Sequence, residues 1–189
     1  MINRAVEQID TPMVLFLNND TIVRSQEWLE AMLEHAQRPE VAAVGARLLF
    51  PDGEPQHEGI LVGTGGGLAA NMVADRYGFG VSTRNCSAVT AACMLTRTEV
   101  FRELGGFDES LAVAYNDVDF CLRAREKGYL IVYTPHAELL HEQGGSRGLD
   151  GAQPPEDRTR FRSRWGEYRD PYYSPNFDID NPFRLELEW

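Results

Sequence analysis

Three polar clusters hold the side chains able to do chemistry: Asn18-Asn19-Asp20, Asn116-Asp117-Val118-Asp119, and His141 followed by Ser146-Arg147. A carboxylate accepts protons and binds hard cations, an imidazole ligates metals, and an arginine fork matches the oxygens of a diphosphate. Each cluster also has a plain structural reading. Asp and Asn at a helix start cap free N–H groups and suit the positive end of the helix dipole, a role that fits Asp119 better than Asp117. Asn18 and Asn19 suit a turn, because Asn tolerates left-handed backbone, and a lone histidine such as His141 commonly serves as a hydrogen-bonded structural group. His136 and His141 do not make a hydrolase metal pair: HAELLH spaces them by five residues, on different helical faces, unlike H-E-x-x-H.

These clusters lie at the ends of expected secondary-structure elements. From Thr11 the run TPMVLFLNND is apolar and then abruptly polar, as in a strand buried on both faces of a parallel sheet. SQEWLEAMLEHAQ has helical spacing with Ser25 placed as cap, Val41 to Phe50 and Gly59 to Val62 read as strands, and Gly63 to Gly80 reads as irregular glycine-rich chain. Ser87 to Thr96 is a further apolar strand, RTEVFREL a helix that stops at Gly105-Gly106, and NDVDFCLRAREKG a helix with Asn116 as cap and Gly128 as terminator. YLIVYTP is a strand closed by Pro135, and EDRTRFRSRW a short arginine-rich helix. Strands alternating with helices argue for a layered α/β fold.

The 189 residues suit one domain, and 43% apolar with 25% charged residues predicts a packed core. A net charge of −11 repels phosphate backbones, which argues against a nucleic-acid partner. Cys86, Cys93 and Cys121 follow neither a disulfide framework nor a zinc pattern, so buried thiols in a reducing compartment are expected. With no transmembrane run and no signal-like start, the expected location is cytoplasmic, including the inner face of the membrane.

The order and wording of the clusters resemble the family-2 glycosyltransferases, especially bacterial enzymes that transfer rhamnose-like or other sugars in surface-polysaccharide assembly. The resemblance rests on VLFLNNDT (14–21), AVTAACMLTRTEVFRELGGFDES (88–110), YNDVDFCLRAREKGYLIVYTPHAELLH (115–141), GGSRG (144–148) and DPYYSPNF (170–177). It implies a GT-A fold, a mixed sheet flanked by helices, and inverting transfer from a nucleotide-diphosphate-sugar donor to a saccharide or lipid-linked saccharide acceptor. Such a transfer must neutralise a departing diphosphate and remove a proton from a hydroxyl, tasks for a divalent cation and one carboxylate. The resemblance places Asp20 and His141 at the metal, with manganese or magnesium as the ion. Asn18 stands where the family's Asp-x-Asp motif has its first acid, and Asn19 lies beside it against the donor. Asp117 matches the general base, with Asn116 in place of the preceding glutamate and Asp119 near the substrate. Gly106-Phe107-Asp108-Glu109 matches an acceptor loop, and Ser146 and Arg147 a segment that closes on the donor phosphates.

The resembled domain opens with a nucleotide-binding half of about 80 to 90 residues. This sequence starts at the strand that follows it, so the expectation is a partial GT-A domain over 1–148, with a C-terminal arm over 149–189 and the residues for base and ribose missing. The sheet flank beside Val14 to Leu17 would then be uncovered and open to self-association. The same features also allow a reading from another class, a non-catalytic saccharide-binding or interaction module derived from such an enzyme.

Overall fold

The computed structural model describes residues 1–72, 79–142, 153–174, 176, 178 and 179. The expected segment Ser146-Arg147 lies outside them. Apolar residues of β1 (Met13–Leu17) give way to Asn18–Asp20, where the chain turns into the short β2 (Thr21–Val23). The main sheet has the order β1-β8-β3-β9-β2, with β3 (Val41–Leu49), β8 (Cys93–Arg97) and β9 (Leu130–His141) at its centre. Strand β4 (Pro55–His57) pairs with β3, and β7 (Arg84–Cys86) pairs with β9. β3 and β9 run parallel while β8 runs antiparallel to both of its neighbours, so the sheet is mixed.

Helix α2 (Trp28–Ala36) covers one face, with Met32 and Ala36 packed against Val44, Leu95 and Val132. The other face carries α1 (Ile2–Glu7), α4 (Thr98–Glu103), α5 (Asn116–Glu126) and α6 (Pro155–Trp165). Its centre is an aromatic cluster in which Phe16, Phe101, Phe107 and Phe120 stand with ring centroids 5.0 to 5.7 Å apart. Burial of Phe101, Phe107 and Phe120, with Phe16 half-buried against them, is worth several kcal/mol, at roughly 2 kcal/mol for each buried ring. Strands β5 (Ile60–Gly63) and β6 (Leu68–Asn71) form a separate hairpin, joined by the single turn α3 (Thr64–Gly67). The first part of the supposedly irregular glycine-rich stretch is therefore an ordered platform, and α6 rests on it.

Three local expectations give way to tertiary pairing. Ser25 does not cap α2; its hydroxyl donates to the His136 carbonyl and accepts from the Glu138 N–H, tying the loop to β9. Pro135 does not close the last strand. The β3–β9 register jumps between Ala46↔Thr134 and Arg47↔Glu138, so Pro135 falls where the ladder requires no donor and β9 continues to His141. The segment expected as one strand over Ser87 to Thr96 is instead a connection after β7, with one isolated bridge between Ala88 and Ile60, and β8 from Cys93. Among the described residues, β1 is paired on one side alone, with β8, and Leu17 at its end is 44% exposed. No described helix is long and apolar enough to cross a membrane.

Candidate functional site

The end of β1 and the end of β9 come together through the pairing of β2 with β9, in which Thr21 lies opposite His141. Asn18, 123 residues from His141 in the chain, thereby places its Nδ2 3.2 Å from the imidazole Nε2. Asp20 Oδ1 lies 3.3 Å from the same nitrogen. On the far side of the ring, Nδ1 meets Gln56 Oε1 at 2.6 Å, while Gln56 Nε2 donates to the His141 carbonyl. That carbonyl can only accept, so the amide oxygen must be the atom facing Nδ1, and Nδ1 carries a ring proton. Nε2, with the Asn18 amide beside it, also faces Asp20. Asp20 Oδ1 is itself buried and accepts no hydrogen bond.

A carboxylate oxygen and an imidazole nitrogen, both of types that bind cations, thus stand side by side 3.3 Å apart. Adjacent ligands of an octahedral ion with bonds of about 2.1 Å stand about 3 Å apart, close to the observed separation. A carboxylate with an imidazole suits manganese better than the oxygen-seeking magnesium, and Gln56 supplies the outer hydrogen bond that fixes a ligating ring. The pair therefore fits such an ion. Among the described residues no group of three or more His, Cys, Asp or Glu side chains gathers, so most of the coordination would fall to water and ligand.

Asp117 sits at the start of α5, half-buried, with Oδ1 accepting the Val118 N–H and Oδ2 accepting the Ala91 N–H, each at 2.9 Å. The next residue, Ala92, accepts the Asn18 N–H at 2.9 Å. Asp117 consequently hangs on Ala91 and Asn18 on the adjacent Ala92, at the entrance of β8, and the two clusters share one end of the sheet. Asn19 is exposed beside them.

The remaining expected residues are placed differently. Asp119 is fully buried: Arg123 Nε donates to Oδ2 at 2.7 Å, and Trp165 Nε1 donates to Oδ1 at 2.9 Å, with Arg164 at 3.0 Å. All of its exposure is spent on α5–α6 packing, so the expected substrate contact is replaced by a structural one. Phe107 belongs to the aromatic core, and its backbone is gripped by Asn3, whose Nδ2 donates to the Phe107 carbonyl and whose Oδ1 accepts the Phe107 N–H. Gly106 must be glycine there: its φ is +72°, and a Cβ would stand 2.5 Å from Asn3 Oδ1. Asp108 accepts the Ser110 N–H, and these Ser110 bonds, aided by nearby Arg164, hold its carboxyl below the usual range. Glu109 is exposed. The loop offers acid side chains to solvent while its glycine and aromatic residues anchor it.

Gln56 and Asn3 carried no signal in the sequence, because a glutamine in PQHEG and an asparagine in an N-terminal helix match no motif. Next to Gln56, His57 points the other way, fully buried, with Nδ1 3.0 Å from Asn71 Oδ1 and Nε2 without a hydrogen-bond partner.

Residues 1–167 match the family model described as glycosyltransferase like family 2. The chain belongs to glycosyltransferase family 2. It is 40% identical over 200 residues to the Sinorhizobium fredii protein y4gI, covering 97% of this chain, and 39% identical over 188 residues to the O-antigen biosynthesis protein RfbC of Myxococcus xanthus, covering 94% of it. The chain spans 22% and 15% of the lengths of those two relatives. Among solved structures, GalNAc-T7 with UDP, GalNAc and Mn2+ superposes with a TM-score of 0.66 at 10% identity, covering 87% of this chain and 34% of that one. The mixed sheet with helices on both faces is the fold of the GT-A glycosyltransferases.

Proposed function

We propose that this family-2 chain carries the metal-facing and acceptor-activating edge of an enzyme that moves a sugar, with inversion, from a nucleotide-diphosphate-sugar to a saccharide hydroxyl in envelope glycan synthesis. The observation that supports the reading is that Asp117 and Asn18 bond to the adjacent residues Ala91 and Ala92, at the end of the sheet where Asp20 meets His141. The biosynthetic setting is supported by the likeness to an O-antigen protein.

In this reading Asp117 takes the proton of the acceptor hydroxyl. Its two backbone hydrogen bonds aim the carboxylate and leave lone pairs on both oxygens for that proton. The acceptor oxygen then bonds to the anomeric carbon from the face opposite the departing diphosphate, so one displacement inverts the centre. Asp20 and His141 would hold manganese or magnesium, and such an ion, when bound, neutralises charge on the leaving diphosphate. Asn18 and Asn19 offer neutral amides to the donor, Asp108 and Glu109 accept hydrogen bonds from acceptor hydroxyls, and Ser146 and Arg147 meet the phosphates.

The test replaces Asp117 by Asn, which keeps shape and one acceptor oxygen but cannot take a proton. With a donor that the unaltered chain turns over, the rate should fall by about 10²-fold or more, while loss of one of the two backbone hydrogen bonds lowers the melting temperature by only about 2–4 °C. Near-normal turnover would remove Asp117 from the role. Saccharide binding that persists with no turnover in either form would favour the non-catalytic module instead.

A further inference from the structure

The start of α5 is held in an unusual way. Its N-cap position is Tyr115, which makes no side-chain capping bond and has φ +65°, ψ 0°, the one non-glycine residue of positive φ among those described. A left-handed tyrosine is strained, and such strain persists only where the surroundings over-determine it. Here α6 does so. Phe161 stacks on the Tyr115 ring at 4.5 Å and 19°, and the Tyr115 hydroxyl donates to Gln153 Oε1 just before the helix. Asp157, 3% exposed, accepts both the Val113 and Ala114 N–H groups on one oxygen, at 2.9 and 2.8 Å.

The grip continues beyond the strained residue, because Trp165 and Arg164 of α6 hold Asp119. Asp117 is therefore bracketed, with α6 contacts two residues before it and two after. The helix is in turn braced from behind by the β5–β6 hairpin: Gly67 meets Gly166 so closely that a Cβ on it would lie 2.7 Å from the Gly166 Cα, and Arg162 donates to the Gly65 carbonyl. A helix that needed only to begin at this point would be served by its own capping side chain. Instead buried groups from a segment some forty residues later are spent on the approach to Asp117.

We infer that α6 is a clamp that aims the Asp117 carboxylate, with Asp157 and Tyr115 as its positioning residues. The inference rests on Asp117 being the base. Neither residue touches substrate; they act by fixing the peptide units from 113 to 116, and so the direction in which Asp117 leaves the helix.

The experiment uses the full chain and three variants, Asp157→Ala, Asp157→Asn and Tyr115→Gly. Amide hydrogen exchange is followed at Ala91 and Val118, whose N–H groups bond to Asp117, and at Glu142, whose N–H bonds to the Asp20 carbonyl. Asp157→Ala should speed exchange at Ala91 and Val118 by about tenfold or more and leave Glu142 within twofold. Asp157→Asn, which keeps an acceptor oxygen, should restore most of the protection. Tyr115→Gly keeps the turn without strain but removes the ring that Phe161 holds, and should loosen the same two amides. Where turnover is measurable, kcat should fall about tenfold with donor KM unchanged. Equal acceleration at all three amides, or none at Ala91 and Val118, would overturn the clamp. Undiminished turnover in Asp117→Asn would instead overturn the base assignment, and the exchange result would still judge the clamp separately.

Discussion

His57 is the group whose burial should be readable in bulk stability. Burial pushes its pKa down from 6.5 to about 4, the Asn71 hydrogen bond opposes it, and the neighbouring Arg84 and His141 act in the same direction as burial. Because the folded-state value lies below the unfolded one, folding disfavours the protonated ring. The contribution is complete above about pH 6.5 and is lost as pH falls from there toward 4. At about 1.4 kcal/mol per pKa unit, that shift amounts to roughly 3 kcal/mol, most of it gone by about pH 4.5. The 29 acidic residues also titrate in this range, so the slope must be isolated by difference. Urea unfolding at pH 7 and 4.5 would be compared for the unaltered chain and His57→Gln, whose amide can still meet Asn71 but does not titrate. The unaltered chain should lose about 2–3 kcal/mol more than the variant over that interval. Parallel losses, equal within about half a kcal/mol, would refute the idea that a neutral buried His57 supports the fold.

Other measurements probe the same core. All three thiols should resist alkylation in the native chain at pH 8 and react on unfolding, since burial pushes Cys86 and Cys93 up to about 12 and Cys121 upward as well. Asp119→Asn should cost about 2 kcal/mol in chemical denaturation: the amide keeps the Trp165 bond, but Arg123, itself 15% exposed and still bonded to the Leu104 and Gly106 carbonyls, loses its counter-charge.

Helices whose apolar spacing and terminators agreed were legible in the sequence: α5 runs to Glu126 before Gly128, and α6 spans Pro155 to Trp165. The failures share a cause. Ser25 has the chemistry of a cap, but β9 backbone competes for its hydroxyl; Pro135 has the look of a stop, but a register shift accommodates it. At the site, the identities of Asp20, Asn18, His141 and Asp117 were visible as polar residues at element ends, whereas what orients them was not. Gln56, Asn3, Tyr115 and Asp157 act through contacts distant in the chain, and none sits in a spacing that local propensity could reveal.

The pairing of Thr21 with His141 also sets a timetable. A ribosome adding about 5–20 residues per second needs on the order of 10 s to pass from Asp20 to His141, and β9 is the last strand of the main sheet to emerge. Until then β3 lacks its parallel neighbour, and the edge that Val41, Ala43 and Val44 turn toward β9 stays open while β8 lies on the other side. The nascent chain thus passes through a period in which its most buried strand is open to wrong partners, and the cation-ready pair exists only once that exposure has ended.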